Sequence, residues 1–379
     1  MMPEKTLVLL GIGHTNAHVV KQWASDPIEN CRLVCVSTFA TATYSGMLPG
    51  TLGMQFRDDE MRIDLKSLAD QAAAELVIGS VCGLNLDAGE LLFEDHDPIR
   101  FDALSVGVGS MPIGWMQHAG VDSFIPIKPM QTFQSRLDER LKERFANNLP
   151  VRIAIVGGGV ASVEVALCLD ERLRREGREE FQIEIFTASD RVGDGMTPRS
   201  IAMIERILKR RSIDVIARCR VSEVREDELV TDAPKTYPTD AVLWATGAAP
   251  PPVLGSLGLQ SDKSGFIATH PTLQSITDAR IFAVGDCGTM IASPAPKAGV
   301  YAVRQCPVIW HNLNALFRGK AMQEFRPQSG FLKLLNTGDG KALLEFKWIS
   351  FHAAWCWHLK TWIDKKFINE FQPPIEKSK

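Results

Sequence analysis

VRIAIVGGGVASVEVAL, Val151 to Leu167, reads as a strand, a tight turn and the start of a helix. A β-branched run from Val151 to Val156 reaches Gly157, Gly158 and Gly159, and an Ala/Val/Leu-rich helical pattern follows at once. Such a turn gathers backbone N–H groups and the positive end of a helix dipole at one point, where they can hold a pyrophosphate. Gly157 and Gly159 are therefore expected cofactor contacts. A single glycine string after a strand often marks nothing more than a turn. Here the chain does the same thing at its start. Lys5–Leu10 is a buried-strand run, followed by Gly11, Ile12 and Gly13 and then a helix-forming segment, His14–Ser25. Two nucleotide turns in one chain imply two bound cofactors.

The chain has 379 residues, more than one ordinary core requires and enough for two domains with an extension. A formal net charge of −3 with 23% charged residues offers no basic surface for nucleic acid and no acidic tail. The first strand begins directly after MMPEK, so no signal peptide is expected, and no apolar run approaches a membrane span. The expected location is cytoplasmic. The eight cysteines form no CxxC pair and read as buried thiols, with Cys31 and Cys35 on the same face of one strand. The histidines are scattered without ligand spacing, and no metal is expected.

Arg32–Ser37 reads as the second parallel strand. In this first unit Asn16 stands at the third glycine position and Ser37 where an acidic residue usually ends the strand. Asn16 can donate to a phosphate and Ser37 can bond a ribose hydroxyl. The loop 38–53 lies beyond a strand's carboxyl end, where ligands bind. A helix is expected over 63–75 and a strand over 76–81, with Val81 at the cofactor edge. From here the chain repeats itself. Val77-Ile78, Glu90-Leu91, Asp102-Ala103, Gly109 and Pro112 recur as Val215-Ile216, Glu228-Leu229, Asp240-Ala241, Gly247 and Pro250, always 138 positions on. A constant offset through turns implies a duplicated unit, each copy ending in a glycine loop at Gly109 or Gly247. Residues 114–129 read as a connection and 133–145 as an amphipathic helix. Residues 172–180 read as a solvated charge run, and 182–187 as the second unit's next strand, ending in Thr187.

Ala245-Thr246-Gly247 and the strand from Arg280 to Gly285-Asp286 make the chain resemble the two-dinucleotide-binding-domain flavoproteins, the pyridine nucleotide–disulfide oxidoreductase superfamily. That resemblance implies FAD and NAD(P)H, with Gly285 and Asp286 at the ribityl or phosphate portion of FAD. HTNAHVV at 14–20, YSGMLPG at 44–50, PAPKAGVYAVRQ at 294–305 and the segment 331–339 look like the NADH dehydrogenase-like flavoproteins related to the module fused to selenide, water dikinases. No dikinase domain is expected alongside it. Disulfide reductases of the superfamily carry a cysteine pair against the flavin, where this chain has Thr41, Thr43, Tyr44 and Ser45. Dithiol chemistry is therefore not expected.

By resemblance to type II NADH dehydrogenases, Glu164 lies near the nicotinamide, although a carboxylate in a first helical turn also suits the dipole alone. Lys297, or the helix start beside it, would offset charge on the flavin, and Tyr44 would cover the flavin from the other side. Thr187 in place of an acidic residue, with Ser189 and Arg191 beyond it, leaves NADPH open beside NADH. The quinone-contacting glutamine of those enzymes falls at Val300, with Gln305 retained. The aromatic C-terminal stretch 347–371 suits peripheral contact with the inner face of a membrane. The residues favour packing on the flavin domain or a homodimer contact instead.

The expected fold is α/β, with two Rossmann-like three-layer dinucleotide-binding domains and a C-terminal extension. Residues 1–118 and 262–325 would form a discontinuous FAD domain, 119–261 the NAD(P)H domain and 326–379 the extension. The expected activity is hydride transfer from NAD(P)H to FAD and on to a quinone or other small electron acceptor, without a redox-active disulfide. A sulfide:quinone-type oxidoreductase using Cys287 and Cys306, and a non-catalytic redox sensor, are the alternatives.

Overall fold

The computed structural model describes residues 5–233 and 235–372. The opening MMPE, on which the signal-peptide expectation leaned, lies outside them. Two five-stranded sheets, each wholly parallel, carry the chain. The first runs Ile281–Ala283, Ala103–Val106, Lys5–Leu10, Cys31–Ser37, Glu75–Ile78 in spatial order. The second runs Phe124–Pro126, Ala241–Trp244, Val151–Val156, Phe181–Phe186, Asp214–Ile216. The near-continuous apolar sequence of their central strands has a direct cause, because both faces of those strands are covered. Leu7 and Leu9 pack into one core and Val8 and Leu10 into another, on the opposite face. Ile153 and Ile155 divide from Ala154 and Val156 in the same way. The fold is α/β, as the pattern of strands and glycine turns indicates.

The 138-residue repeat is a structural repeat. Glu90–Phe93 and Glu228–Thr231 are the middle strands of two three-stranded antiparallel meanders, with Leu91 and Leu229 both fully buried. Ala103–Val106 and Ala241–Trp244 are the matching parallel strands. Just before each, an aspartate clasps the first strand of its own unit. Asp102 N–H donates to Thr6 O and its carboxylate accepts Thr6 N–H, and Asp240 does the same with Arg152.

Four local expectations change. The stretch 114–129 holds Phe124–Pro126, an edge strand of the second sheet, too short to show a period in a Gly- and Pro-rich context. The helix expected over 63–75 is split into a strand Arg62–Asp64, paired with Thr41–Thr43, and a helix Leu65–Gln71. Asp64 explains the boundary, since its side chain caps Ser67 N–H. The strand expected to reach Val81 stops at Ile78, and Val81 opens the meander. The charge run is not solvated throughout. Arg172 is largely buried and holds both Asp138 and Glu176, tying helix Val160–Arg175 to helix Met130–Ala146.

The C-terminal segment forms a three-stranded antiparallel sheet, Lys333–Asn336, Ala342–Phe346 and Ile349–Ala353, followed by helix Ala354–Ile368. Leu335, Leu343, Ile368 and Phe371 join the core cluster that one face of each parallel sheet shares. The extension therefore wedges between the two units.

Candidate active site

Gly11 has φ +79°, and a Cβ there would fall 2.8 Å from the backbone of Val108. A Cβ on Gly13 would lie 3.2 Å from Gly107 O. Two strand ends thus meet with no room for side chains, at the N-terminus of helix His14–Ser25. A cleft of ≈ 540 Å³ opens at this point. Of the residues expected there, Gly11, Gly13, Ser37, Val81, Gly109, Gly285, Asp286 and Lys297 line it. Ser37 is partly committed to the loop, its hydroxyl donating to Phe39 O at 2.8 Å.

Three expected residues turn elsewhere. Asn16 is fully buried, and its amide donates to Gly11 O at 2.8 Å and Ser105 O at 3.1 Å, while its Oδ1 accepts Ser105 Oγ at 2.7 Å. Both amide protons are used, so Asn16 is a brace beneath the turn and not a phosphate donor. Tyr44 stacks on Phe367 with ring centroids 4.6 Å apart and donates to Asp364 at 3.1 Å. Its phenol faces the C-terminal helix. Lys297 borders the cleft, but its ammonium donates to Gly288 O and Thr289 Oγ1 at 2.7 and 2.8 Å and sits over the Phe266 ring. Burial lowers its pKa. The helix it was expected to open begins at Gly299, whose free N-terminus, with Ala298, borders the cleft instead.

The sequence reading missed a polar group in this cleft. Asp286 accepts Ser110 Oγ at 2.7 Å and Lys128 Nζ at 3.3 Å, and Lys128 also donates to Ser110 at 2.7 Å. Lys128 lies in the stretch read as a connection, and nothing in its neighbourhood advertised it. His14 also borders the cleft, and burial lowers its pKa to about 4, which keeps it neutral. Gln305 accepts Gly285 N–H at 2.6 Å and so supports the Gly-Asp turn.

The second turn repeats the geometry. Gly157 has φ +137°, and a Cβ there would fall 2.3 Å from Ala245 O. Gly159 leads into helix Val160–Arg175, and a Cβ on Gly158 would strike Thr187 Oγ1 at 2.3 Å. Ser162 stands where Asn16 stands in the first unit, buried and donating to Ala245 O at 3.2 Å. Gly247 O accepts Ile113 N–H at 2.7 Å, joining the two units' glycine loops. Glu164 points toward the extension, where it accepts Asn336 N–H at 2.7 Å. Burial raises its pKa to about 7 against the pull of Lys360.

Residues 5–305 match the pyridine nucleotide-disulphide oxidoreductase family. The chain belongs to that family. As a member it is an FAD-dependent oxidoreductase of pyridine nucleotides. It is 23% identical over 353 residues to the NADH dehydrogenase-like protein YutJ of Bacillus subtilis, covering 89% of this chain and 91% of the relative. A type II NADH:quinone oxidoreductase of Haemophilus influenzae is 25% identical over 225 residues, 55% of this chain and 50% of the relative. The sulfide:quinone oxidoreductase of Aquifex aeolicus shares the fold with a TM-score of 0.80 at 19% identity, covering 98% and 94% of the two chains.

All eight cysteines are free thiols, and none lines the cleft. Cys287 and Cys306 are buried, and burial pushes their thiols up to about 11 and about 12. A thiolate, the nucleophilic form, is disfavoured at both.

Proposed function

We propose that the first turn and its cleft hold FAD, that the second turn holds NADH, and that electrons leave to a quinone. The observation that carries this reading is a built cleft beside a nucleotide turn with no thiol in its lining. Bound there, FAD would supply the chemistry of accepting hydride from reduced nicotinamide and passing electrons on. The chain supplies the rest. The N-termini of helices His14–Ser25 and Gly299–Arg318 direct partial positive charge into the cleft. Asp286, steadied by Ser110 and Lys128, offers a carboxylate to sugar or ribityl hydroxyls, and neutral His14 adds no charge against them. Residues 1–118 and 262–325 serve as the FAD unit, 119–261 as the NADH unit and 326–379 as the extension.

The quinone step draws support from the names of the similar proteins, two of which are quinone oxidoreductases. It also draws on an exposed aromatic set on the extension: Trp348, Phe351, Trp355 and Trp362 are 75%, 47%, 51% and 61% exposed. Such a set suits a bilayer interface, where quinones reside. Cys356, Ile368 and Phe371 pack inward. No helix among the described residues is long and apolar enough to cross a membrane.

Anaerobic mixing of the purified yellow protein with NADH, followed by a water-soluble quinone, tests the reading. Flavin absorbance should bleach and then recover. A flavin bleached by sulfide but not by NADH would move the assignment to the sulfide:quinone type. A flavin bleached by neither would leave the redox-sensor reading.

A further inference from the structure

NADH and NADPH differ only at the 2′ position of the adenosine ribose, so a protein tells them apart by the charge it presents there. The residue at the usual position, directly after strand Phe181–Phe186, is Thr187, which is uncharged and 3% exposed. Its Oγ1 accepts Ser189 N–H at 3.1 Å and abuts Gly158. The chain then folds back over the glycine turn. Gly193 N–H donates to Gly158 O at 2.7 Å and Asp194 N–H to the same oxygen at 3.3 Å. That return brings the Asp194 carboxylate over the turn. Its Oδ2 lies 3.3 Å from where a Gly158 Cβ would sit, and accepts Ser189 Oγ at 3.0 Å.

The neighbouring cations are engaged. Arg191 makes a two-point pair with Glu205 at 2.7 and 2.6 Å, and Arg218 pairs with Asp190. Among the described residues, Asp194 Oδ1 has no hydrogen-bond partner. The Asp194 carboxylate thus stands beside the second glycine with one oxygen unpartnered, and both nearby guanidiniums already hold carboxylates.

We propose that Asp194 replaces the missing strand-end carboxylate and sets the nucleotide choice. It accepts the ribose 2′-hydroxyl of NADH, with Ser189 steadying it, and repels the 2′-phosphate of NADPH. This rests on the second turn being the nicotinamide nucleotide site, as proposed above.

The test uses the FAD-loaded full chain and its Asp194→Asn and Asp194→Ser variants. NAD⁺ and NADP⁺ binding are measured by calorimetry, alongside flavin bleaching by NADH and NADPH. The side chain is exposed and bonds only Ser189, so flavin content should be unchanged. Wild type should favour NAD⁺, and both variants should narrow the NAD⁺/NADP⁺ ratio about tenfold or more, as loss of a charge-assisted bond and a repulsion together imply. A ratio that neither variant moves, or a wild type without preference, overturns the role of Asp194. If NADH still bleaches the flavin in that case, the proposed function stands alone. An Asp194-dependent ratio with no bleaching would sink the proposed function and keep this inference. Binding of neither nucleotide sinks both.

Discussion

Asn16 shows how a departure from a glycine pattern can be structural. Its three buried hydrogen bonds tie the turn to strand Ala103–Val106, and Ser162 does similar work in the second unit. Asn16→Gly would restore the common glycine spacing yet leave the Ser105 hydroxyl buried without a partner. The expected result is a loss of about 2–4 kcal/mol in urea unfolding of the holoprotein, with no gain in FAD retention. Glu164 makes a prediction of a different kind. Burial raises its pKa from 4.5 to about 7. Below 4.5 the carboxyl is neutral in both folded and unfolded chains. Between 4.5 and 7 the unfolded chain gives up a proton that the folded chain keeps, so this group's stabilisation is lost as pH rises. Glu164→Gln keeps an acceptor for Asn336 and removes the titration. The difference in Tm should therefore move in the variant's favour across that interval, by on the order of 2 kcal/mol in stability. A difference that stays flat with pH would mean that Glu164 is not held neutral.

Elements were the most legible scale, and for a physical reason. Strands buried on both faces and glycine turns with no space for Cβ leave strong local signatures, and a repeat with constant offset exposes the duplicated meander. Phe124–Pro126 left no such trace, because three residues between turns cannot show a period. Lys128 and Ser110 were hidden for a related reason: their meeting with Asp286 depends on contacts 158 and 176 positions apart, which no local pattern encodes. The docking of helix Ala354–Ile368 was equally silent. There Lys360 and Asp364, 9% and 5% exposed, pair at 2.9 Å, with Lys360 donating to Gly46 O and Asp364 accepting from Tyr44. Removing one partner strands the other charge. Lys360→Met or Asp364→Leu alone should each cost about 3–5 kcal/mol, and the double variant should recover much of that in a double-mutant cycle. Strictly additive losses would show that the pair is not coupled.

At the scale of the whole molecule, the extension has two faces with opposite demands. Its inner face completes a core shared with both parallel sheets, through Leu335, Leu343, Ile368 and Phe371. Its outer face leaves Trp355 and Trp362, seven positions apart on one side of the helix, in solvent, with Lys366 beside Trp362. Phe351 lies against Trp355 at 5.8 Å between ring centroids, and the Lys366 ammonium sits 5.4 Å from the Trp362 ring. Exposed indoles with an adjacent ammonium group match the headgroup region of an anionic bilayer, where the ring enters the interface and the cation meets phosphate. The inner and outer faces are separable by mutation. Trp355→Ser with Trp362→Ser should leave the unfolding midpoint and flavin bleaching by NADH within error of wild type, since neither side chain is buried. Sedimentation with vesicles of mixed neutral and anionic lipid should fall several-fold, as should turnover with a lipid-dissolved quinone but not with a water-soluble one. Equal sedimentation of variant and wild type, or a loss of turnover with both quinones alike, would assign these indoles to a contact between chains instead.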